Sequence, residues 1–329
     1  MQLMKRFAGM HLCALIVVFT AVFATFGSVA SGQGRAVNIM AGPDQSTAKI
    51  VADEIKALSE RCGLPVRTHE TVGALQNLVA LKERSYTQFG IMQSDVLEYL
   101  KTFEEEDPAI AAAIRGIRVA FPLFDQEVHV LARREISGLA DLNGRVLAVG
   151  AENSGTFLTA HVTLDLLGVT PSERRAMAAP EALEKLLDGQ IDAMFVVDGT
   201  PSALLASIPA DRADLHLVPI DDPLIASVYA PVTIPGGTYG FQTEDVSVVA
   251  VGTVLLTYNY VAAGRNYYNT DNCRLVADVS GLVAQNLDAL KSDGHPKWKD
   301  VDLQSDVPDW LFSGCAARGL APQYKPVCR

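Results

Sequence analysis

Val149-Gly150-Ala151-Glu152-Asn153-Ser154-Gly155-Thr156-Phe157-Leu158-Thr159-Ala160 is the stretch that decides the fold class. The apolar run from Arg145 to Gly150 reads as a buried strand, and a helix begins near Ser154 after a short turn. Gly155 lets a ligand approach the backbone. The free N–H groups of a first helical turn favour a carboxylate or another anion, and Ser154 and Thr156 add hydroxyls. Ordinary helix capping by Ser154 would account for the same residues without any ligand.

The same alternation extends outward in both directions. Towards the N-terminus, Ala36 to Ala41 is an extended run ending at the turn signal Gly42-Pro43. Ala48, Val51, Ala52, Ile55 and Leu58 then recur at helical spacing behind an N-cap at Ser46 or Thr47. Further strands are expected at 65–69, 88–92, 117–121 and 128–132, with helices at 75–81 and 96–103. Beyond the opening stretch come a helix at 181–187, a strand at 193–197, a strand near 215–220 and a long β-branched run from Val246 to Tyr260. Strands alternating with helices predict an α/β fold whose sheet is mainly parallel and covered on both faces. Two lobes are expected, joined by crossings near Phe121–Gln126 and Pro219–Tyr229, with a ligand cleft between them. The first lobe comprises 31–123 and 222–329, including a cysteine-bearing tail, and the second comprises 124–221.

Loops at the carboxyl ends of the expected strands supply the candidate contacts, because open α/β sheets bind ligands there. They are Thr71 to Asn77, Gln93-Ser94-Asp95, Ser154-Gly155-Thr156 and Asp198-Gly199-Thr200-Pro201. Asp95 and Asp198 are also good N-caps, which is the plain structural reading of both.

Composition narrows the class. The 329-residue chain carries a formal net charge of -11 and no basic stripe, which argues against nucleic acid and anionic membrane surfaces. Lys5 and Arg6, an apolar run from about Leu12 to Phe26 and the small residues Gly27 to Gly32 follow the order of a secretory signal. Cleavage after Ala30 is expected, and with it a periplasmic location for a monomeric mature chain. Besides Cys13 there are Cys62, Cys273, Cys315 and Cys328, an even set that reads as two disulfides with three possible connectivities.

From about Ala36 to Val254 the chain resembles the substrate-binding subunits of the TAXI class of TRAP transporters. The pieces that carry the resemblance are Gly73–Asn77, Phe89–Asp95, Phe121–Val130, Asp141–Val146 and Ser154-Gly155-Thr156 with Thr159-Ala160. Leu187–Ala193, Pro201 and Ile234–Tyr239 complete the order. The resemblance implies a type II periplasmic binding-protein fold without a cofactor. It implies closure on glutamate, glutamine, a 2-oxo acid or a dicarboxylate, and delivery to a cation-gradient-driven membrane permease. Contacts carried over lie in the first loop (Asp44, Gln45, Ser46, Thr47), at Gly73, Gln76 and Asn77, and at Gln93 and Asp95. The remainder are Ser154, Gly155, Thr156, Thr159, Asp198, Gly199 and Tyr239. The chain departs from the family at Asp44, where small neutral residues are usual, and at Ala74, which replaces a usual serine. An acidic group facing the cleft disfavours a dianion. A different ligand, one with an amine, or no small ligand at all therefore stays open.

Chemistry is not expected. Ser154 lacks the Gly-x-Ser-x-Gly elbow, and His161 falls two turns along the same helix, too far to activate it. His69, His129, His161, His216 and His295 show no metal-ligand spacing, so no metal site is expected. The rival to transport is a binding-protein fold that serves as a sensory or docking module for a membrane sensor or complex.

Overall fold

Ser46 and the apolar positions behind it set the first α/β unit of the computed structural model, which describes residues 36–83, 86–261 and 266–328. The expected signal segment lies outside the described residues. Strand β1 (Val37–Met40) leads to helix α1 (Thr47–Arg61), whose first turn is capped by Ser46 Oγ accepting from Lys49 N. Val51, Ala52, Ile55 and Leu58 form the buried face that periodicity predicts. Gly63 stops the chain at φ +72°, a conformation that favours glycine. Then follow β2 (Val66–His69), α2 (Ala74–Glu83), β3 (Phe89–Gln93) and α3 (Ser94–Thr102). Strand β1 pairs in parallel with β2 and β3.

After α4 (Pro108–Ile114) comes β4 (Ile117–Arg133), one strand of 17 residues where the sequence suggested two separate ones. Pro122 obscured its continuity. It sits opposite Val254 beside a shift of register, where a missing N–H is tolerated. Next are β5 (Val146–Ala148), α5 (Gly155–Leu166), β6 (Glu173–Arg175), α6 (Ala179–Leu187) and β7 (Ala193–Asp198). The chain continues through α7 (Ala203–Ala206), β8 (Leu215–Leu217), α8 (Pro223–Ala226), β9 (Ala230–Ile234) and β10 (Val246–Tyr258).

The sheet runs β2-β1-β3-β10-β4-β7-β5-β6, with β8 on β4 and β9 on β10. It is mixed, which corrects the expectation of a mainly parallel sheet. Among the named strands, the pairs among β1–β3 and among β5–β7 are the parallel ones. Long β4 and β10 run antiparallel to each other and to every other neighbour. They stand between the two parallel units, so each unit meets an antiparallel partner at its inner edge.

Val218, Ile220, Ile225 and Tyr229 share a core with Val128, Phe195 and Val197, and also with Val249 and Val251. Strand β10 takes part in both halves of the sheet: Val246 to Ala250 pairs with β9, and Thr253 to Thr257 pairs with β3.

The cysteine-bearing tail is an integral layer of the first half. Helix α9 (Tyr267–Gln285) buries Leu275, Val276, Val279 and Val283 against Val51 and Ile55 of α1. A short helix α10 (Leu287–Asp293), a tight turn at Pro296–Asp300 and α11 (Gly314–Leu320) follow. Gly319 makes the α9–α11 approach possible, since a Cβ there would lie 2.1 Å from the Ala277 carbonyl oxygen. Two disulfides fix the arrangement: Cys273–Cys315 joins α9 to α11, and Cys62–Cys328 joins the end of α1 to the C-terminal residues.

Candidate functional site

Strand direction makes the site. The carboxyl ends of β1, β2 and β3 face those of β5 and β7 across the β4–β10 crossing, and a cavity of about 320 Å³ lies between them. Its first wall is the loop after β1, from Ala41 to Ser46, with Val72, Gly73, Ala74, Ile91 and Gln93. Its second wall is Ser154, Gly155, Thr156, Ala179, Pro180, Val196, Val197, Asp198, Ser202 and Leu204, and Gln126 of β4 closes the base.

The walls touch at several points. Leu75 N donates to Asn153 O at 3.2 Å, and Gln93 Nε2 donates to Gln126 Oε1 at 2.9 Å. Gly155 lies so close to Gln93 that a Cβ on it would come within 2.2 Å of Gln93 Oε1. Gly73, at φ +134°, brings its loop against Ser154 in the same way. A Cβ on Gly155 would meet the end of the Gln93 side chain, whereas Gly73 is favoured by its φ and by the closeness of the Ser154 backbone. Gln45 and Asn153 carry positive φ without being glycine, one on each rim. Asn tolerates that region because its side chain is short and polar, whereas Gln45 bears a real cost.

The contact at α1 is electrostatic. Thr47 N, at the start of the helix, donates to Asp198 Oδ1 at 2.9 Å, and Gly199 N donates to the same oxygen at 2.9 Å. Thus Asp198, at the end of β7, caps a helix from the opposite wall, 151 residues away in sequence. Burial raises its pKa above the usual carboxylate value, against the pull of the two N–H donors.

Of the residues expected to contact a ligand, Asp44, Gln45, Ser46, Gly73, Gln93, Ser154, Gly155, Thr156 and Asp198 line the cavity. Seven do not. Thr47 and Gly199 stand just behind the wall, and Thr47 Oγ1 donates to Gly199 O. Gln76 is exposed and accepts from Val72 N. Asn77 is fully buried, its Nδ2 donating to Ala41 O and Ile91 O, so it ties β1 to β3. Asp95 and Thr159 bond each other: Thr159 Oγ1 donates to Asp95 Oδ2 at 2.6 Å, and Tyr229 Oη donates to the same oxygen at 3.2 Å. Burial is the main cause that pushes Asp95 up to about 6. Tyr239 lies wholly inside the protein behind the second wall. Its hydroxyl accepts from Ser202 N at 3.0 Å and donates to His129 Nε2 at 2.9 Å. Burial drives His129 down to about 4, so the ring is neutral and its Nδ1–H donates to Val196 O. Tyr239 therefore positions Ser202 and does not itself reach the cavity.

Sequence reasoning passed over Gln126, Ala179, Pro180, Val196, Ser202 and Leu204. Gln126 lay within a quoted family piece and could have been chosen. The remainder follow from how β7 and α6 pack, which no local pattern announces. Among the described residues there is no group of three or more His, Cys, Asp or Glu placed to hold a metal ion. No described helix is long and apolar enough to cross a membrane.

The model of the NMT1-like family matches residues 45–270, more than two-thirds of the chain. The chain belongs to the NMT1-like family. In this NMT1-like protein the match takes in both walls of the cavity except Ala41 to Asp44 and stops near the start of α9, so most of the disulfide-bonded tail lies beyond it. Among solved structures, Tv2483 bound to L-arginine is similar at 14% identity, covering 82% of this chain and 92% of that one, with a TM-score of 0.49. The GluR0 ligand-binding core from Nostoc punctiforme, in complex with (L)-glutamate, is 13% identical over 82% of this chain and 100% of its own, with a TM-score of 0.46. The periplasmic aliphatic sulphonate binding protein SsuA from Escherichia coli is 15% identical over 79% and 78%, with a TM-score of 0.42. The architecture described above rests on the strand order and pairing of the chain itself.

Proposed function

We propose that this protein is an extracytoplasmic solute-binding protein that captures a small polar ligand between the two halves of its sheet without changing it chemically. The observation that carries the reading is the cavity itself. Five strand ends and the starts of α1, α2, α5, α6 and α7, from both sides of the β4–β10 crossing, converge on about 320 Å³ of space. That volume suits a molecule of amino-acid size. Only two long strands run through both halves, and their register shifts at Gly252–Leu256 place an irregularity where the halves would flex. The walls offer hydroxyls, amides and helix-start N–H groups. His161 is engaged with its own helix at Phe157 O.

The partner on this reading is a TRAP-type permease in the membrane, with the chain acting as a periplasmic monomer released from a signal segment. The pieces of the TAXI pattern support that choice. A ligand-free docking or sensory role is the second reading. One observation favours it: Asp198 already occupies the N-terminus of α1, a natural seat for a ligand anion.

The test is a thermal-shift screen of the mature protein against amino acids, 2-oxo acids and dicarboxylates, with native mass spectrometry for co-purified ligand. A binding protein should gain about 2.7 kcal/mol at a hundredfold excess over its dissociation constant. Folded protein that neither shifts nor retains a ligand would transfer the case to the docking role.

A further inference from the structure

The charge inside the cavity is one-sided. Among the described residues that line it, Asp44 and Asp198 are the charged ones, and there is no Arg, Lys or His. The nearby lysine, Lys297, lies behind Gly199 and is committed to Glu127 and Asp300. A ligand carboxylate therefore finds no cation to meet. At α1 it finds the anion's place taken by Asp198, through Thr47 N.

Asp198 is the buried one of the two. Both backbone donors converge on its Oδ1, and the Thr47 hydroxyl also lies close enough to favour the charged carboxylate. Beside it stands Ser202, 0% exposed and held by Tyr239 through its backbone N–H. The Ser202 hydroxyl is close enough to Asp198 to favour the charged carboxylate, yet it completes no hydrogen bond. A buried hydroxyl without a partner is costly, and of the several such groups among the described residues Ser202 is the one whose residue lines the cavity. Both residues line the cavity.

We propose that the ligand is an organic cation whose N–H donors, an ammonium or an amidinium group, seat on Asp198 and Ser202, with Asp44 favouring its entry at the mouth. This deepens the solute-binding reading and rests on it. Charge-assisted hydrogen bonds to a buried carboxylate are the strong kind, and a carboxylate without a nearby cation of its own gives them fully to the ligand. Steering by Asp44 acts mainly on the rate of arrival and weakens with salt.

The experiment is calorimetric titration of the mature protein with agmatine and putrescine as cations, glutamine as a neutral zwitterion, and succinate and 2-oxoglutarate as dianions. A cation is expected to bind saturably at one site. D198N is expected to weaken it at least tenfold, and D44N, on the exposed rim, by a few-fold. Both variants should melt with the wild type, because an asparagine oxygen still accepts from Thr47 N. Binding of a dianion, or binding of any probe that D198N leaves unchanged, would overturn the cation assignment while leaving the solute-binding reading in place. Silence from the whole panel, from folded protein, would count against both.

Discussion

Lys297 holds the tail to the middle of the sheet, and its removal should be the most damaging single change outside the hydrophobic core. Its Nζ lies 2.5 Å from Glu127 Oε1, with the two side chains only 7% and 10% exposed. Asp300, 53% exposed, approaches the same Nζ at 3.2 Å and adds little, since water screens it. Glu127 belongs to β4, and its other oxygen accepts from Thr200 N at 2.8 Å, so one carboxylate anchors the tail, the crossing strand and the loop after β7. Substituting Lys297→Met keeps the apolar stem but leaves Glu127 buried and unpaired. Breaking a buried pair from one side costs about 3–5 kcal/mol. At about 2–3 °C per kcal/mol for a chain of this size, the melting temperature should fall by roughly 6–15 °C. The assay is thermal unfolding by circular dichroism. The double variant Lys297→Met with Glu127→Gln should recover much of the loss, because the stranded charge is gone. A melting temperature for K297M within about 2 °C of wild type, or a double variant no better than the single one, would refute the reasoning.

Three further outcomes rest on other contacts. Because the folded pKa of Asp95, about 6, lies above its unfolded value of about 3.9, the folded state holds that proton more tightly. Its contribution is present below about pH 4 and is lost as pH rises through about 6, a change on the order of 3 kcal/mol. D95N should remove that component, so its stability relative to wild type should improve between urea titrations at pH 4.5 and pH 7. A difference that does not vary with pH would contradict the burial argument. Separately, the Cys273–Cys315 bridge closes 42 residues, and its loss in a double serine variant should cost about 4 kcal/mol on a chain-entropy account. Non-reducing peptide mapping should recover the Cys62–Cys328 and Cys273–Cys315 pairs, and any other pairing would contradict the packing of the tail.

What could be read in advance was local. The Ser46 cap, the apolar stripe of α1 and the strand-to-helix turn at Ser154-Gly155-Thr156 all depend on neighbours within a few residues, and all are found where expected. The continuity of β4 was hidden by Pro122, which local rules read as a break and the sheet absorbs at a register shift. The tail hid its periodicity because α9 buries Asn272, Asp278 and Ser280 along with its apolar residues. Ser280 bonds within the helix, to Val276 O, whereas the other two are met from afar: Gln88 Nε2 donates to Asn272, and Tyr324 Oη donates to Asp278. The same limitation governs the site. Asn77 and Tyr239 sit near strand ends, as ligand contacts do, but their hydrogen bonds go to Ala41, Ile91, His129 and Ser202. Asp198 reads as a cap for its own segment, and only the fold shows that it caps α1 instead.

The central claim is reversible capture of one small solute in the cavity between the β1–β3 and β5–β7 strand ends. Its most direct measurement is calorimetric titration of a compound that stabilises the wild type, repeated on Ala179→Trp. Ala179 is a half-buried cavity residue at the start of α6, so an indole there would occupy much of the ligand's space. The account predicts one ligand per wild-type chain and at least a hundredfold weaker binding to the variant, with both proteins equally folded. Unchanged affinity in the filled variant would place the ligand elsewhere and contradict the account.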